Sequence, residues 1–271
     1  MKGLPEILTA FEQALELERE LGTRAVDCDR ALLSPLSARD LKGAQVSQVE
    51  QGKGSSLGGK DSQDSHEPKQ PKPQEAGGLP TAEELAACTK CQLATLGRQR
   101  VVPGQGNAAS PDVMFIGEAP GGEEDRQGLA FVGAAGQFLT KMIQAMGYTR
   151  EQVFIANVCK CRPPNNRTPS PQEMAACLPY LKRQIAAIRP KCIVLLGRTA
   201  MSGLFSMQRI RRSVWYEYDG IPVIATFHPS YIIRFDPATD PVGLRAAKTE
   251  VWNTLKLALA RLGKRKEEKK T

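Results

Sequence analysis

Four of the seven cysteines stand in two pairs at spacings that suit a metal centre. Cys88 and Cys91 are separated by two residues, and Cys161 and Cys177 by fifteen. Four thiolates bind either a tetrahedral zinc ion or an iron–sulfur cluster, and the spacing does not choose between them. Because the second pair is dispersed over a predicted loop and a predicted helix, unlike a compact zinc ribbon, we favour iron–sulfur.

The cysteine count and the first residues of the chain bear on the compartment. Seven cysteines are an odd number, and residues 1–21 mix five glutamates into their apolar positions, unlike a secretory or transit peptide. This combination indicates a metal site rather than a disulfide framework. Cys159 and Cys192 fit the alternative of buried free thiols. With no apolar run long enough for a membrane span, we expect a cytoplasmic protein without a membrane partner.

A glycine-rich turn carries the next candidate residues. Residues 117–121 read Gly-Glu-Ala-Pro-Gly after an apolar run, and Glu123, Glu124 and Asp125 follow closely. Glycine at a strand end lets a ligand approach the backbone, and a nearby carboxylate can orient a water molecule. Acidic residues after a turn are usually just solvated, so this motif alone is weak evidence.

Histidine is scarce, with only His66 and His228 in the chain. His66 lies in residues 42–78, which are rich in Gly, Ser, Gln, Lys and Pro and therefore predict a disordered linker. His228 directly follows a predicted strand. Imidazole chemistry is therefore expected from His228, for which a purely structural role is the alternative.

Apolar runs alternate with amphipathic segments over the last two thirds of the chain. Strands are predicted at 112–117, 153–157, 192–196 and 221–227, and helices at 134–146, 170–188, 197 onwards and 242–262. An Asp-Gly turn predicts a hairpin of 214–218 with 221–227, and Thr81 with Glu84 and Ser170 with Glu173 predict capping boxes at helix starts. The alternation predicts an α/β fold with a mainly parallel sheet. Binding sites in such sheets lie beyond the carboxyl ends of the strands. Gly117, Asn157, Gly197 and His228 stand at those ends.

The first 80 residues differ in composition from the rest. Apolar residues at helical spacing within 4–21 predict one amphipathic helix. That helix either packs on its own domain or binds a partner such as a repair or replication protein. We divide the chain into a helical extension (1–41), a disordered linker (42–80), one globular domain (81–262) and a basic tail (263–271).

The positive charge of the chain belongs to the globular domain and tail. Residues 1–80 hold 10 Lys and Arg against 13 Asp and Glu, a net charge of −3, whereas residues 81–271 hold 27 against 16, a net charge of +11. Clustered basic residues displace counterions from phosphates, so nucleic acid is the first expected partner. A merely soluble basic surface is the alternative.

Taken in order, these motifs closely resemble those of the family 4, iron–sulfur-containing uracil-DNA glycosylases. The matching segments are Gly-Glu-Ala-Pro-Gly at 117–121, Phe-Val-Gly-x-Ala-Gly at 131–136, Asn157, Lys-Cys-Arg-Pro-Pro-Asn-Asn-Arg-Thr-Pro at 160–169, Cys177, Leu-Gly-Arg at 196–198 and His-Pro-Ser at 228–230. The resemblance covers about residues 81–262. It implies a three-layer α/β/α fold with a central, mainly parallel four-stranded sheet. It also implies a monofunctional enzyme that flips uracil out of DNA and hydrolyses its N-glycosidic bond, leaving an abasic site for base-excision repair.

The resemblance also implies a role for each matching residue. A [4Fe–4S] cluster would be held by the four paired cysteines, Cys88, Cys91, Cys161 and Cys177. Uracil would lie against Gly117, Glu118 and Ala119. It would stack on Phe131 and be read by the Asn157 amide, with thymine excluded by its methyl group. His228 would stabilise the charge that develops at uracil O2.

The residue that orients the attacking water is the main departure from better-known relatives. The more distant family 1 enzymes have an aspartate where this chain has Ala119. We hypothesise that Glu124 takes that role, with Asn166 as the other candidate. The loop after Cys161 has no histidine, which favours turnover over covalent trapping. No lysine lies in the motifs that contain Gly117, Phe131, Asn157 and His228, so a Schiff base is not expected.

Contacts to DNA are expected from the basic and aromatic residues of the same motifs, namely Arg162, Arg167, Arg198, Ser230, Tyr231 and Arg234. Tyr231, Ile232 and Arg234 are candidates to wedge into the duplex where the base left, with loop packing as the alternative. We expect a monomer. Two rival interpretations remain: a non-catalytic iron–sulfur module that binds DNA, to which Ala119 gives some weight, and a zinc-stabilised binding protein.

Overall fold

The computed structural model describes residues 78–205 and 211–264. The predicted N-terminal helix, nearly all of the linker and most of the basic tail lie outside the described residues. Cys28 and His66 lie outside them too. The proposed domain boundaries therefore remain predictions.

A six-stranded sheet forms the centre of the described residues. Its strands are β1 (Gln105–Gly106), β2 (Val113–Gly117), β3 (Phe154–Asn157), β4 (Cys192–Leu196), β5 (Trp215–Tyr218) and β6 (Ile221–Thr226), in the order β1-β3-β2-β4-β6-β5. The four inner strands are parallel neighbours, as predicted. The two edge strands are antiparallel. β5 belongs to the predicted Asp-Gly hairpin, whereas β1 is too short to give a sequence pattern.

Helices cover both faces of this sheet. They are α1 (Ala82–Ala86), α2 (Gly122–Gln127), α3 (Ala134–Ala145), α4 (Pro171–Ile188), α5 (Gly197–Phe205), α6 (Pro229–Ile232) and α7 (Pro241–Arg261). Side chains of α3 and α7 pack on one face, and those of α4 and α5 on the other. Successive strand residues alternate between these two cores, as the period of a strand requires. The expected three layers are confirmed.

The first cysteine pair lies beyond α1 rather than on it. Thr81 caps this helix by accepting a hydrogen bond from the Glu84 amide, as predicted. The helix ends at Ala86, and the Cys88 amide bonds to the Leu85 carbonyl in a tighter turn. Cys91 then begins a short 3-10 helix, Gln92–Ala94. Two turns at different angles therefore present the two thiols.

Glu173 joins three segments near the second cysteine pair. It completes the predicted capping box of α4, where its carboxylate accepts from the Ser170 amide. The same carboxylate binds both terminal nitrogens of Arg167 at 2.8 and 2.7 Å and the Gln92 amide at 2.9 Å. Only 1% of the residue is exposed. Two segments are thus fixed by one buried carboxylate to α4, the helix that carries Cys177. They are residues 161–169, called the Arg/Pro/Asn loop below, and residues 88–94, called the first cysteine turn.

Replacing Glu173 by Gln is expected to lower the free energy of unfolding by about 2 kcal/mol, because a buried charge-assisted network loses its charge. These contacts lower the pKa of Glu173 to about 2 from an ordinary 4.5. Its stabilisation is therefore fully present above pH 4.5 and is lost as the pH falls through 2. Denaturant unfolding of both proteins between those pH values measures the loss.

The matched control is Glu250→Gln, which removes a surface ion pair with Arg212 whose side chains are 37% and 40% exposed. We expect a loss below about 1 kcal/mol there. Equal losses in the two variants, or a Glu173→Gln effect that does not change with pH, would contradict the role of Glu173.

Candidate active site

A cleft of about 790 Å³ opens at the carboxyl ends of the parallel strands. Twelve of the residues to which the sequence assigned a role in catalysis, uracil binding or DNA contact line it, namely Glu118, Ala119, Glu124, Phe131, Asn157, Asn166, Arg167, Arg198, His228, Ser230, Tyr231 and Arg234. Gly117 and Arg162 stand just behind this lining. Segments far apart in sequence therefore meet at one site, as the parallel topology requires.

The floor of the cleft is formed by two side chains that meet over Gly117. A methyl group at Gly117 would overlap the Phe131 ring and would lie 2.5 Å from Asn157 Oδ1. Glycine is the one residue that lets the aromatic ring and the amide approach this strand end together. The pair forms a flat apolar surface beside a polar edge, which suits a planar heterocycle that can form hydrogen bonds.

Asn157 carries an unused acceptor in this position. The residue is 2% exposed, and its Oδ1 has no hydrogen-bond partner among the described residues. A buried acceptor without a donor costs on the order of 1–3 kcal/mol. Since Oδ1 faces a ligand-sized cleft, the arrangement is one that an incoming N–H group would complete.

Phe131 is held in a strained backbone conformation. Its φ of 52° lies in the left-handed region, which bulky side chains rarely adopt. A methyl group at Gly136, on the first turn of α3, would overlap the Phe131 backbone. The start of α3 therefore packs directly against the strained turn. Strain of this kind persists only where surrounding contacts enforce it.

Glu124 supplies part of that enforcement. Its Oε1 accepts from the amides of Val132 and Gly133 at 2.9 and 2.8 Å, and its Oε2 accepts from the Gly121 amide at 3.1 Å. The carboxylate thus braces the Phe131 turn against the glycine-rich turn. A carboxylate has about four acceptor positions, so these three bonds leave one position on Oε2, and Glu124 lines the cleft.

His228 enters the cleft as a neutral imidazole. Its Nδ1 accepts from the Ser230 amide at 3.1 Å, which places the ring proton of the neutral form on Nε2. Burial and the positive charge of Arg234 lower the pKa of His228 to about 4. Its ring centroid lies 5.7 Å from that of Phe131. His228 can therefore donate a hydrogen bond at neutral pH without carrying a charge.

The four paired cysteines surround a second cavity on the other side of the Arg/Pro/Asn loop. The Arg98 guanidinium donates to Cys161 Sγ at 3.0 Å, and the Lys160 amide donates to Cys177 Sγ at 3.2 Å. Donors aimed at sulfur suit thiolates in a metal centre. Among the described residues, no three His, Cys, Asp or Glu side chains converge closely enough to bind a single metal ion. Cys159, expected to be an isolated buried thiol, lines the same cavity.

Comparison with known proteins places this architecture in a family. The family model of the uracil DNA glycosylase superfamily matches residues 103–256, more than half of the chain. The type-4 uracil-DNA glycosylase of Thermotoga maritima is 47% identical over 158 residues, which are 56% of this chain and 81% of the relative. The chain belongs to this superfamily and to its type-4 group.

Two further type-4 uracil-DNA glycosylases show the same extent of similarity. The protein of Sulfurisphaera tokodaii is 48% identical over 160 residues, 55% of this chain and 72% of the relative. That of Archaeoglobus fulgidus is 44% identical over 162 residues, 55% of this chain and 80% of the relative. The superfamily match contains Phe131, Asn157 and His228 but begins after Cys91.

The rim of the cleft differs in two ways from the expectation for a member of this superfamily. Arg167, expected to contact DNA, donates hydrogen bonds from both terminal nitrogens to Glu173. Its guanidinium therefore fixes the Arg/Pro/Asn loop rather than standing ready for DNA. Arg212, which the sequence did not single out, lines the cleft with its guanidinium 3.9 Å from the Phe227 ring centroid. No local motif marks Arg212, because only the fold brings it to Phe227.

Of the three expected wedge residues, Tyr231 lies on an aromatic ridge at this rim and Arg234 lines the cleft. Ile232 is only 1% exposed and packs in the hydrophobic core, so the expectation that it wedges into DNA is wrong and loop packing is its role. The Phe227 and Tyr231 rings stack at 4.6 Å, and Phe235 meets Tyr231 edge-on at 5.1 Å. Tyr231 is 42% exposed despite these contacts. No helix among the described segments is long and apolar enough to cross a membrane.

Proposed function

We propose that this protein is a uracil-DNA glycosylase that flips uracil out of DNA and hydrolyses its N-glycosidic bond. The observation that supports this most directly is the unpartnered Asn157 Oδ1 beside the Phe131 ring. Uracil presents an N–H donor between two carbonyl acceptors, so an amide can accept from N3–H and donate to O4. Cytosine presents an acceptor at N3 and would face Oδ1 unfavourably. The methyl group of thymine is expected to be excluded sterically.

His228 is suited to stabilise the leaving group. Bond cleavage leaves positive charge on the sugar and negative charge on uracil, largely at O2. A neutral Nε2–H donor fixed in a cleft stabilises that developing charge without first losing solvation. The Ser230 amide, bonded to Nδ1, keeps the proton on Nε2 throughout. Product release leaves free uracil and an abasic site.

We assign the role of orienting the attacking water to Glu124, with Asn166 as the alternative. Glu124 keeps one open acceptor position beside the cleft, whereas Asn166 Oδ1 already accepts from Arg162 Nε at 2.8 Å. We expect Glu124→Gln to lower the single-turnover cleavage rate about 100-fold, because an amide is a poor acceptor for the water proton and its NH₂ group cannot accept from the backbone amides that Glu124 braces. Rapid-quench assays measure this rate.

The matched variant for that experiment is Asn166→Ala, whose rate we expect to fall less than about fivefold, since loss of one exposed amide removes one weak contact. A normal rate in Glu124→Gln together with a slow rate in Asn166→Ala would move the role to Asn166.

We also propose that Cys88, Cys91, Cys161 and Cys177 bind a [4Fe–4S] cluster. The cluster spreads its four ligands over four iron atoms, which suits thiols that surround a cavity better than a single zinc ion does. When bound, it would supply a covalent link between the first cysteine turn, the Arg/Pro/Asn loop and α4. The bond that breaks lies in the other cleft, so this role is structural.

Replacing Cys177 by Ala is expected to abolish absorption near about 400 nm and the bound iron of the purified protein. Cys192→Ala should keep both, because Cys192 lies buried within β4 and outside the cysteine cavity. Visible spectra and iron analysis test this. A colourless wild-type protein containing zinc would establish the zinc-stabilised alternative instead.

Multiple-turnover release of free uracil from a uracil-containing oligonucleotide tests the activity itself. We expect His228→Ala to lower kcat about 100- to 1,000-fold, as for other lost oxyanion donors. A thymine-containing oligonucleotide serves as the substrate control. Tight binding of uracil DNA without release by the wild type would leave the non-catalytic module as the function.

The pH profile of the same assay gives an independent reading of His228. Since its folded pKa is about 4, kcat/KM should show no inflection near the ordinary value of 6.5. Activity should decline only towards the acidic value, where the imidazole gains a proton. An inflection near 6.5 that disappears in His228→Ala would contradict the neutral donor.

DNA is the proposed partner, held by the basic and aromatic rim. Arg162, Arg198, Arg234 and Tyr231 are the proposed contacts, with Arg167 acting through the loop. Phosphate contacts of this kind give affinity that falls with salt. We further expect a cytoplasmic monomer whose residues 4–21 bind a repair or replication protein.

A further inference from the structure

Lys160 is a buried cation that the proposed reaction does not use. The residue is 1% exposed and is one of the largest fully buried side chains. Its Nζ donates to the backbone carbonyl of Asn157 at 2.7 Å and to Gln184 Oε1 at 2.6 Å. A buried ammonium is costly unless it is well paired, so its retention at this place calls for a function.

Both of the hydrogen-bond acceptors of Lys160 are neutral oxygens. Gln184 is itself fixed, because its Nε2 donates to the Pro103 carbonyl at 2.7 Å. The backbone amide of Lys160 donates to Cys177 Sγ, so the residue touches a proposed cluster ligand on its main chain. The negative charge that offsets the Lys160 ammonium therefore comes from the thiolates of the four proposed cysteine ligands.

The other end of Lys160 meets the residue that reads the base. Its bond to the Asn157 carbonyl fixes the peptide plane that follows Asn157. The next amide, that of Val158, bonds to the Gly117 carbonyl at 3.0 Å. These two bonds set the direction in which the Asn157 side chain leaves the strand. Lys160 thus contacts both the cysteine cavity and the floor of the substrate cleft.

We propose that Lys160 is a positioning residue that links the cluster ligand Cys177 to Asn157, so that the cluster-bound state holds the uracil-reading amide in place. This inference rests on the proposed function and cofactor. It assigns the cluster a route to substrate recognition through hydrogen bonds, without any electron transfer.

Lys160→Met tests the link, because methionine has a similar length but has no charge and no donor. We expect the dissociation constant for free uracil, measured by ligand-observed NMR, to rise about tenfold, because an Asn157 amide that is no longer held in place loses about one hydrogen bond to the ligand. Absorption near about 400 nm and the iron content should remain at the wild-type level. Unchanged uracil affinity, or loss of the cluster together with the affinity, would overturn the inference.

Two further variants keep the experiment decisive. Gln184→Leu removes the other acceptor in the same buried place but leaves the bond to Asn157, so uracil affinity should change less than about threefold. Lys160→Arg keeps the charge with different geometry and serves if Lys160→Met does not fold. We expect its affinity to lie between those of the wild type and the methionine variant, and a wild-type affinity in this variant would count against the link.

Free uracil binding also separates this inference from the proposed activity. A wild-type protein that binds uracil but releases none from DNA would refute the glycosylase while still testing Lys160. A protein that cleaves uracil DNA normally in the Lys160→Met form would refute the link while leaving the glycosylase intact.

Discussion

The close approach of the Phe131 ring and the Asn157 amide over Gly117 is the constraint on which the rest of the site depends. It requires a strand end without a side chain and an aromatic residue on a left-handed turn. That turn is unfavourable by itself. It needs the hydrogen bonds that three backbone amides donate to Glu124 and the tight packing of α3 at Gly136. The fold stabilises one strained conformation so that the cleft has the right shape before any ligand arrives.

Neutral and charged groups occupy different parts of the cleft. The two side chains proposed to bond to the leaving group are neutral, since Asn157 is an amide and burial keeps the His228 imidazole uncharged at neutral pH. Apart from the buried Lys160 behind Asn157, the full positive charges stand on the rim, where Arg198, Arg212 and Arg234 can meet phosphates. A charged histidine would interact with DNA wherever it met a phosphate. A neutral donor interacts most strongly where negative charge develops, and this favours the reaction over non-specific binding.

The cysteine cavity supports the cleft through two buried polar contacts. Glu173 fixes the Arg/Pro/Asn loop to the helix that carries Cys177, and the bond from Lys160 to the Asn157 carbonyl runs from the same region. Neither contact is a surface ion pair, so each is costly to break. In the proposed holoprotein, a cluster bound by these cysteines would support the geometry of base recognition through these two contacts.

Local sequence determined much of the framework. The inner strands, the Asp-Gly hairpin and the caps at Thr81 and Ser170 follow from short-range patterns, because each depends on neighbours within a few residues. The position of the cleft also followed, since parallel strands bring their carboxyl ends to one edge. The family motifs supplied the candidate residues with their order.

Only the tertiary structure decided what several of those residues contact. The three amides that bind Glu124, the pairing of Arg167 with a buried carboxylate, and the places of Cys159 and Arg212 have no local signature. Gln92 and Glu173 are 81 residues apart, and their contact depends on how the helices pack on the sheet. Sequence patterns report which face of an element is apolar, but a hydrogen bond between distant segments depends on distances that exist only after the chain has packed.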